Sequence, residues 1–359
     1  MRYAWVISGC LAGCSTVSPL EETLETGSSS SSSATAPATG SGGTDAPSGP
    51  GDTDPSASNS EPQTDPGGTA TTIPEGATTA DPLPPTSEPD MTSGTSGTTD
   101  ATTDATTGET PTEGCGADPG AEGPQDRMVV VEGTDRHYIV VVPPGYDPNT
   151  AHPVVFAWHG RGGSGMLARL YFGVEEASAG AAIVVYPDGL PLPDMMNQTG
   201  WDLMADGEDV AFFDAMLADV ESTLCVDAER VFSTGHSFGG FMSNALGCFR
   251  GETVRAIAPV AGGGPYGQCT GQVATWIAHG SLDEVVPLMF GEMSRDSWAA
   301  ANGCDASMSE AVDPAPCVAF LGCDAGFPVH WCLHDIPDFM GHTWPAWAGA
   351  GIWNFFAGL

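Results

Sequence analysis

The chain has 359 residues, with nine basic against 46 acidic side chains and a formal net charge of −37 at pH 7. All nine basic residues are arginine. Neutralising a phosphate backbone requires clustered cations, so general nucleic-acid binding is excluded, and an anionic membrane surface is an equally poor partner for the folded part.

At the amino end, Arg2 precedes a short apolar stretch from Tyr3 to Ala12 that closes on Leu11-Ala12-Gly13-Cys14. This reads as an export signal over residues 1–14. Its ending resembles bacterial lipoprotein signals, in which the cysteine is acylated and becomes the new first residue, so Cys14 is the expected lipidation site. Ile7-Ser8-Gly9-Cys10 fits the same pattern but leaves too short an apolar core; an ordinary signal without lipid is the alternative. No other stretch approaches the ~18 consecutive apolar residues of a membrane span, so lipid is the only membrane anchor expected.

Residues 15–114 contain 40 Ser or Thr, 13 Pro, 13 Gly and 16 acids, with no arginine and no aromatic residue. Such a segment buries too little apolar surface to offset its ordering entropy, and its one-signed charge favours extension. It is expected to be a disordered tether with a reach of roughly 50–60 Å. Residues 115–359 carry eight arginines and 30 acids, and their length supports one large domain with a single core. The domain holds eight cysteines: Cys115, Cys225, Cys248, Cys269, Cys304, Cys317, Cys323 and Cys332. Behind an export signal they read as up to four disulfides, with 105 possible connectivities. The run His330-Trp331-Cys332-Leu333-His334 has metal-ligand residue types on a predicted strand, but no second compact ligand pair accompanies it, and no metal is expected.

In chain order, Arg136 to Val142 predicts a strand stopped by the turn residues Pro143 to Pro148. Pro153 to Trp158 is a short apolar run that leads into His159-Gly160-Arg161-Gly162-Gly163. Ala181 to Tyr186 is another continuous apolar run, the pattern of a parallel strand covered on both faces. Asp209 to Leu224 places Val210, Phe213, Leu217, Val220 and Leu224 at helical spacing. Arg230 to Thr234 is a strand and Gly239 begins a helix. Ala256 to Val260 and Thr275 to Ala278 are further strands, and Trp298 falls in a helix. This alternation predicts an α/β fold with a largely parallel central sheet and helices on both faces.

The strongest chemical signal is Gly235-His236-Ser237-Phe238-Gly239, between a predicted strand and a predicted helix. A serine hydroxyl needs a sharp turn to expose it and a base to take its proton, and this is the nucleophile elbow in that context. The elbow requires an acid and then a histidine downstream. Asp283, on the turn after Thr275 to Ala278, is the expected acid, with Glu284 its neighbouring competitor. Of eight histidines, His342 in Gly341-His342-Thr343-Trp344-Pro345 stands on a late glycine turn before a terminal helix and is the expected base, with His334 as substitute. The oxyanion donors are expected to be the amide of Phe238 and the backbone amide of Arg161; the alternative for Arg161 is a side-chain anion clamp. Trp201 and Trp344 are candidate substrate-binding residues, Trp201 as an aromatic wall beside the elbow or as a core residue. Asp202, Asp206 and Asp209 do not match a calcium loop and read as helix-start and loop acids, and the glycines of 261–265 lack a lysine to make a phosphate loop.

The ordered set of His159 to Gly163, Gly200-Trp201-Asp202, Asp227 to Val231 before Gly235-His236-Ser237, Asp283 with Val286-Pro287, and Gly341 to Pro345 resembles the bacterial feruloyl esterase and polyhydroxybutyrate depolymerase family of α/β-hydrolases. The resemblance covers nearly all of 115–359. It implies serine carboxylic-ester hydrolysis through an acyl-enzyme, with no cofactor, by Ser237, His342 and Asp283. Phe238 stands where relatives commonly have a smaller or polar residue, which implies an altered acyl pocket. Without a polymer-binding module, feruloyl or acetyl esters of plant polysaccharide are favoured over hydroxyalkanoate polyester. The expected protein is a monomeric esterase, secreted and tethered by lipid at the cell surface. The competing readings are a polyester depolymerase, an inactive binding lipoprotein on the same fold and a serine peptidase.

Overall fold

A computed structural model describes residues 112–359. The signal at 1–14 with Cys14, and the 15–114 linker up to residue 111, lie outside the described residues. Twelve strands and six helices follow in order: β1 Gly123–Val131, β2 Thr134–Val142, β3 His152–Trp158, α1 Gly165–Phe172, α2 Val174–Ser178, β4 Ile183–Pro187, β5 Leu190–Leu192, β6 Gln198–Gly200, α3 Glu208–Thr223, β7 Val226–His236, α4 Phe238–Phe249, β8 Val254–Val260, β9 Ala274–Gly280, α5 Leu288–Ala301, β10 Asp305–Ala311, β11 Cys317–Leu321, β12 Val329–His334 and α6 Ala348–Ala357.

Ten strands form one sheet in the order β1-β2-β4-β3-β7-β8-β9-β12-β11-β10. The six from β4 to β12 run parallel, and antiparallel pairs close both ends. Strands β3, β4 and β9 are buried at every position, which is why their sequences are continuous apolar runs rather than alternating ones. One face of the sheet packs on α3, α4 and α5 through Phe213, Met216, Met242, Leu246 and Trp298. The other packs on α1 and α6 through Phe172, Ile352 and Phe356. The fold is that of an α/β-hydrolase. The parallel strands place the C-terminal ends of β3, β7, β9 and β12 along one edge of the sheet, and Arg161, Ser237, Phe238, Asp283, His342 and Trp344 follow these ends, whereas Trp201 follows β6.

The expected strands and helices fall inside β2, β3, β7, α4, β8, β9 and α5, whereas α3 ends one residue before Leu224 and β4 begins two residues later than the apolar run. Four disulfides join Cys115–Cys225, Cys248–Cys269, Cys304–Cys323 and Cys317–Cys332. Cys332, the only thiol of the 330–334 run, is therefore bonded to Cys317, and His330 packs against Phe355. Among the described residues, no helix is long and apolar enough to cross a membrane.

The Cys115–Cys225 bridge closes 110 residues, the longest loop of the four. Loop-closure entropy assigns such a link about 4–5 kcal/mol, against about 3 kcal/mol for the short loops. Replacing both cysteines by alanine is expected to lower the melting temperature by roughly 10 °C. Thermal unfolding of the variant beside Cys304→Ala/Cys323→Ala checks it; a smaller loss for the long loop contradicts it.

Candidate active site

Ser237 is the single residue between β7 and α4, with φ 57 and ψ −119, a conformation that residues with side chains rarely adopt. Its carbonyl accepts from the amides of Gly240 (2.9 Å) and Phe241 (3.2 Å), and its own amide donates to the Val260 carbonyl (2.9 Å). The turn is sharp enough that a Cβ on Gly235 would overlap the Gly239 carbonyl, and one on Gly239 would overlap the Trp158 carbonyl. Strand end, serine and helix start are thus fixed by backbone contact.

Asp283 follows β9 and is buried. Its Oδ1 accepts from the amides of Val285 (2.9 Å) and Val286 (2.8 Å), and its Oδ2 accepts from His342 Nδ1 at 2.7 Å. Burial pushes the Asp283 carboxyl up, but the hydrogen bond and charge of His342, with the two amides, outweigh it and hold the group below the usual carboxylate range. A carboxylate only accepts, so the His342 proton sits on Nδ1 and its Nε2 is left as the basic nitrogen. The His342 ring stacks on His236, the residue before Ser237, with centroids 5.0 Å apart. Asp283 and His342 are therefore brought together beside the elbow.

The competitors go elsewhere. Glu284 is exposed, and its amide donates to the Met340 carbonyl in the 338–341 turn at 3.0 Å. His334 is buried, and its ring lies edge-on to Trp347. His279 is also buried; its Nε2 donates to the Val286 carbonyl at 2.9 Å and lies 3.6 Å from Asp283 Oδ2, so it supports the acid from behind.

The 159–163 loop lies against the serine, since a Cβ on Gly160 would meet that of Ser237 at 3.3 Å. The Gly189 amide donates to His159 Nε2 (3.0 Å), so the proton is on Nδ1, which donates to the Gly160 carbonyl (2.7 Å). The Gly162 amide donates to the Thr199 carbonyl (2.8 Å), and the Gly163 amide to that of Gly160 (3.0 Å). Among the described residues, the amides of Arg161 and Phe238 have no acceptor, nor do those of Gly160 and Gly239, whereas the amides of Gly162, Gly163, Ser237 and Gly240 are engaged. The Arg161 side chain is exposed and forms no salt bridge among the described residues.

Trp201 differs from the aromatic wall anticipated beside the elbow. It is 2% exposed, packs on Trp158 and His159, and its Nε1 donates to the His159 carbonyl at 2.8 Å. A substrate cannot reach it; it props the 159–163 loop from below. Behind it, Arg136 pairs with Asp209 (2.5 Å) and lies over Phe212, and Asp209 accepts the Asp202 amide (2.6 Å). Asp209 is thus a helix-start acid with a structural partner. Trp344 is half-buried, stacked on Phe172 at 3.9 Å and edge-on to Tyr171 and His236.

Four further aromatic residues surround the elbow without belonging to any motif in the sequence. Tyr171, on α1, has its hydroxyl 3.1 Å from His236 Nδ1. Phe241, Tyr266 and Phe290 form a cluster with Phe238 beyond the first turn of α4, with centroid distances of 6.1–6.4 Å. Phe238 and Phe241 stand three apart on one helix face, a spacing visible in the sequence; the loop that brings Tyr266 to them is not.

Burial pushes the imidazoles of His159, His279 and His334 below their ordinary value, His330 down to about 4 and, with the charge of His342 adding to burial, His236 down to about 3. Each is neutral when folded and charges more readily when unfolded. Their contribution is therefore fully present above about pH 6.5 and is lost as pH falls toward 4. The melting temperature is expected to drop by several degrees between pH 7 and pH 4.5; scanning calorimetry across that range checks it, and a flat profile contradicts it.

A serine at a strained strand-to-helix elbow with a carboxylate-bound imidazole beside it is an arrangement suited to a hydrolase on the α/β-hydrolase fold. The chain is 34% identical over 269 residues to feruloyl esterase D of Neurospora crassa, spanning 69% of this chain and 90% of that protein. It is 39% identical over 178 residues to feruloyl esterase C of Emericella nidulans, spanning 47% of this chain and 63% of that protein. The chain belongs to the feruloyl esterase family and is a carboxylic-ester hydrolase. Among solved structures it is similar in fold to an acetyl xylan esterase from Aspergillus awamori, with a TM-score of 0.51, 19% identity and coverage of 65% of this chain and 99% of that one. No family model matches the chain.

Proposed function

We propose that this esterase cleaves feruloyl or acetyl esters of plant polysaccharide through an acyl-enzyme on Ser237. The observation that carries the reading is the 2.7 Å bond from His342 to Asp283 beside a serine held at φ 57. Ser237 Oγ attacks the ester carbonyl carbon as its proton passes to His342 Nε2, and the carbonyl electron pair moves onto oxygen. The amides of Phe238 and Arg161 receive that oxyanion. Collapse expels the alcohol, which takes the proton from His342, and water then repeats the sequence to free the acid.

Because His342 protonates the leaving group, the alcohol side of the ester lies toward His342, Trp344 and Tyr171. The acyl group points the other way, toward Phe238, Phe241, Tyr266 and Phe290, whose aromatic faces suit a phenolic ring. Trp201 acts by supporting the oxyanion loop.

The proposal extends to the whole chain: an export signal at 1–14, lipid on Cys14, a tether over 15–114 and a monomeric catalytic domain over 115–359 at the cell surface. Four disulfides support assembly in an oxidising compartment. Hydrolysis of methyl ferulate, p-nitrophenyl acetate and a polyhydroxybutyrate suspension, assayed side by side, tests the substrate class. Ferulate turnover is expected; clearing of the suspension without ferulate turnover overturns the choice in favour of polyester.

A further inference from the structure

The turn Asp338–Gly341, immediately before His342, contains two successive bulky residues in the left-handed region, Phe339 (φ 50, ψ 42) and Met340 (φ 60, ψ 36). Glycine or asparagine occupies that region readily; phenylalanine and methionine are held there against preference. The conformation keeps both side chains out of the core, Phe339 80% and Met340 60% exposed. The turn is locked to the Asp283 loop: the Glu284 amide donates to the Met340 carbonyl (3.0 Å), and a Cβ on Gly341 would overlap Leu282. Two exposed apolar side chains on strained backbone, fixed to the loop that carries the catalytic acid, are a poor arrangement for stability alone.

Between these segments lies a cleft of about 380 Å³ lined by residues 281–284 with Pro337, Met340 and Gly341. Leu282 is 52% exposed. The cleft combines apolar surface with a hydroxyl and a carboxylate, and Phe339 adjoins it in the chain. That mixture matches a sugar ring, which offers a face of C–H groups and a rim of hydroxyls. No arginine lines the cleft, and Glu284 and the adjacent Asp338 are acidic, which disfavours a uronate or any other anion. Asp283, whose carboxylate holds His342 Nδ1, lines the cleft, and Gly341 beside it precedes His342, so the cleft adjoins the segments that carry the acid and the base.

We infer that the cleft between 281–284 and 337–341, together with the exposed ring of Phe339 that follows its lining residue Pro337 by two positions, is a subsite for neutral sugar residues of the chain that bears the ester. The inference rests on the serine-esterase reading above and deepens it on the alcohol side. Asparagine tolerates the left-handed turn, so Phe339→Asn removes the ring while keeping the backbone.

Two measurements on the full-length chain decide it. Calorimetric titration of Ser237→Ala with an unesterified neutral xylan oligosaccharide is expected to show binding that weakens at least fivefold in Ser237→Ala/Phe339→Asn. In the active enzyme, Phe339→Asn is expected to raise KM for a feruloylated xylan oligosaccharide at least fivefold more than for methyl ferulate. Equal or undetectable binding by the two proteins, or equal effects on the two substrates, overturns the subsite. Absence of methyl ferulate turnover by the unsubstituted chain would instead overturn the esterase reading, and the binding titration, which needs no turnover, would still decide the subsite.

Discussion

Ser237→Ala is expected to reduce ester turnover by about 10⁴- to 10⁶-fold while leaving the fold intact. The half-buried hydroxyl leaves only a methyl group, and alanine meets the same backbone demand at φ 57 that serine already meets. What remains is the binding site and the two oxyanion amides, which alone accelerate hydrolysis about 10³- to 10⁴-fold over water in comparable enzymes. The measurement is kcat/KM on methyl ferulate for both proteins, with matched circular dichroism spectra. A loss of tenfold or less would mean that the acyl-enzyme does not form on this residue.

Gly239→Ala is expected to give the largest loss of stability of any single methyl group added to this domain. The new Cβ would sit inside the Trp158 carbonyl oxygen and 2.9 Å from that of His159. Both oxygens belong to the end of β3 and the start of the oxyanion loop, whose backbone is buried and cannot step aside. The gain in helix propensity is at most about 1 kcal/mol, while forcing apart packed backbone costs about 3 kcal/mol or more. A fall in melting temperature of roughly 10 °C follows, together with lost activity, because the displaced segment carries the Arg161 amide. Gly358→Ala, where the added Cβ meets only ordinary contacts at 3.5 Å, is the control. Equal melting temperatures for the two variants would contradict the account of the elbow.

The central parallel strands and the order of Ser237, Asp283 and His342 were legible because both depend on local rules. Buried parallel strands need continuous apolar runs, and a nucleophile elbow needs small residues two positions before and two after the serine, here Gly235 and Gly239. The edges were not legible. Strand β1 alternates half-buried and exposed residues up to the buried Val131, with an apolar run only over 128–131, and all seven residues of β10 are exposed, so neither reads as a fully covered strand. The short hairpin β5–β6, which clamps the oxyanion loop through Thr199, has only three residues per strand. Trp201 was ambiguous in sequence because its role depends on a carbonyl 42 residues away. The Arg136–Asp209 pair links two positions 73 residues apart, and cysteine spacing alone leaves 105 pairings open. Phe339 and Met340 carry no sequence mark of a left-handed turn, since the residue types that announce one are absent there.

The acyl-enzyme proposal makes Ser237 the activated nucleophile of this family member. The most direct test is reaction of the native protein with a fluorophosphonate ester, followed by peptide mass spectrometry. A single adduct on the peptide containing Ser237, absent after denaturation and absent in His342→Ala, is the predicted result. Continued ferulate hydrolysis with no adduct, or an adduct on a different serine, would contradict it.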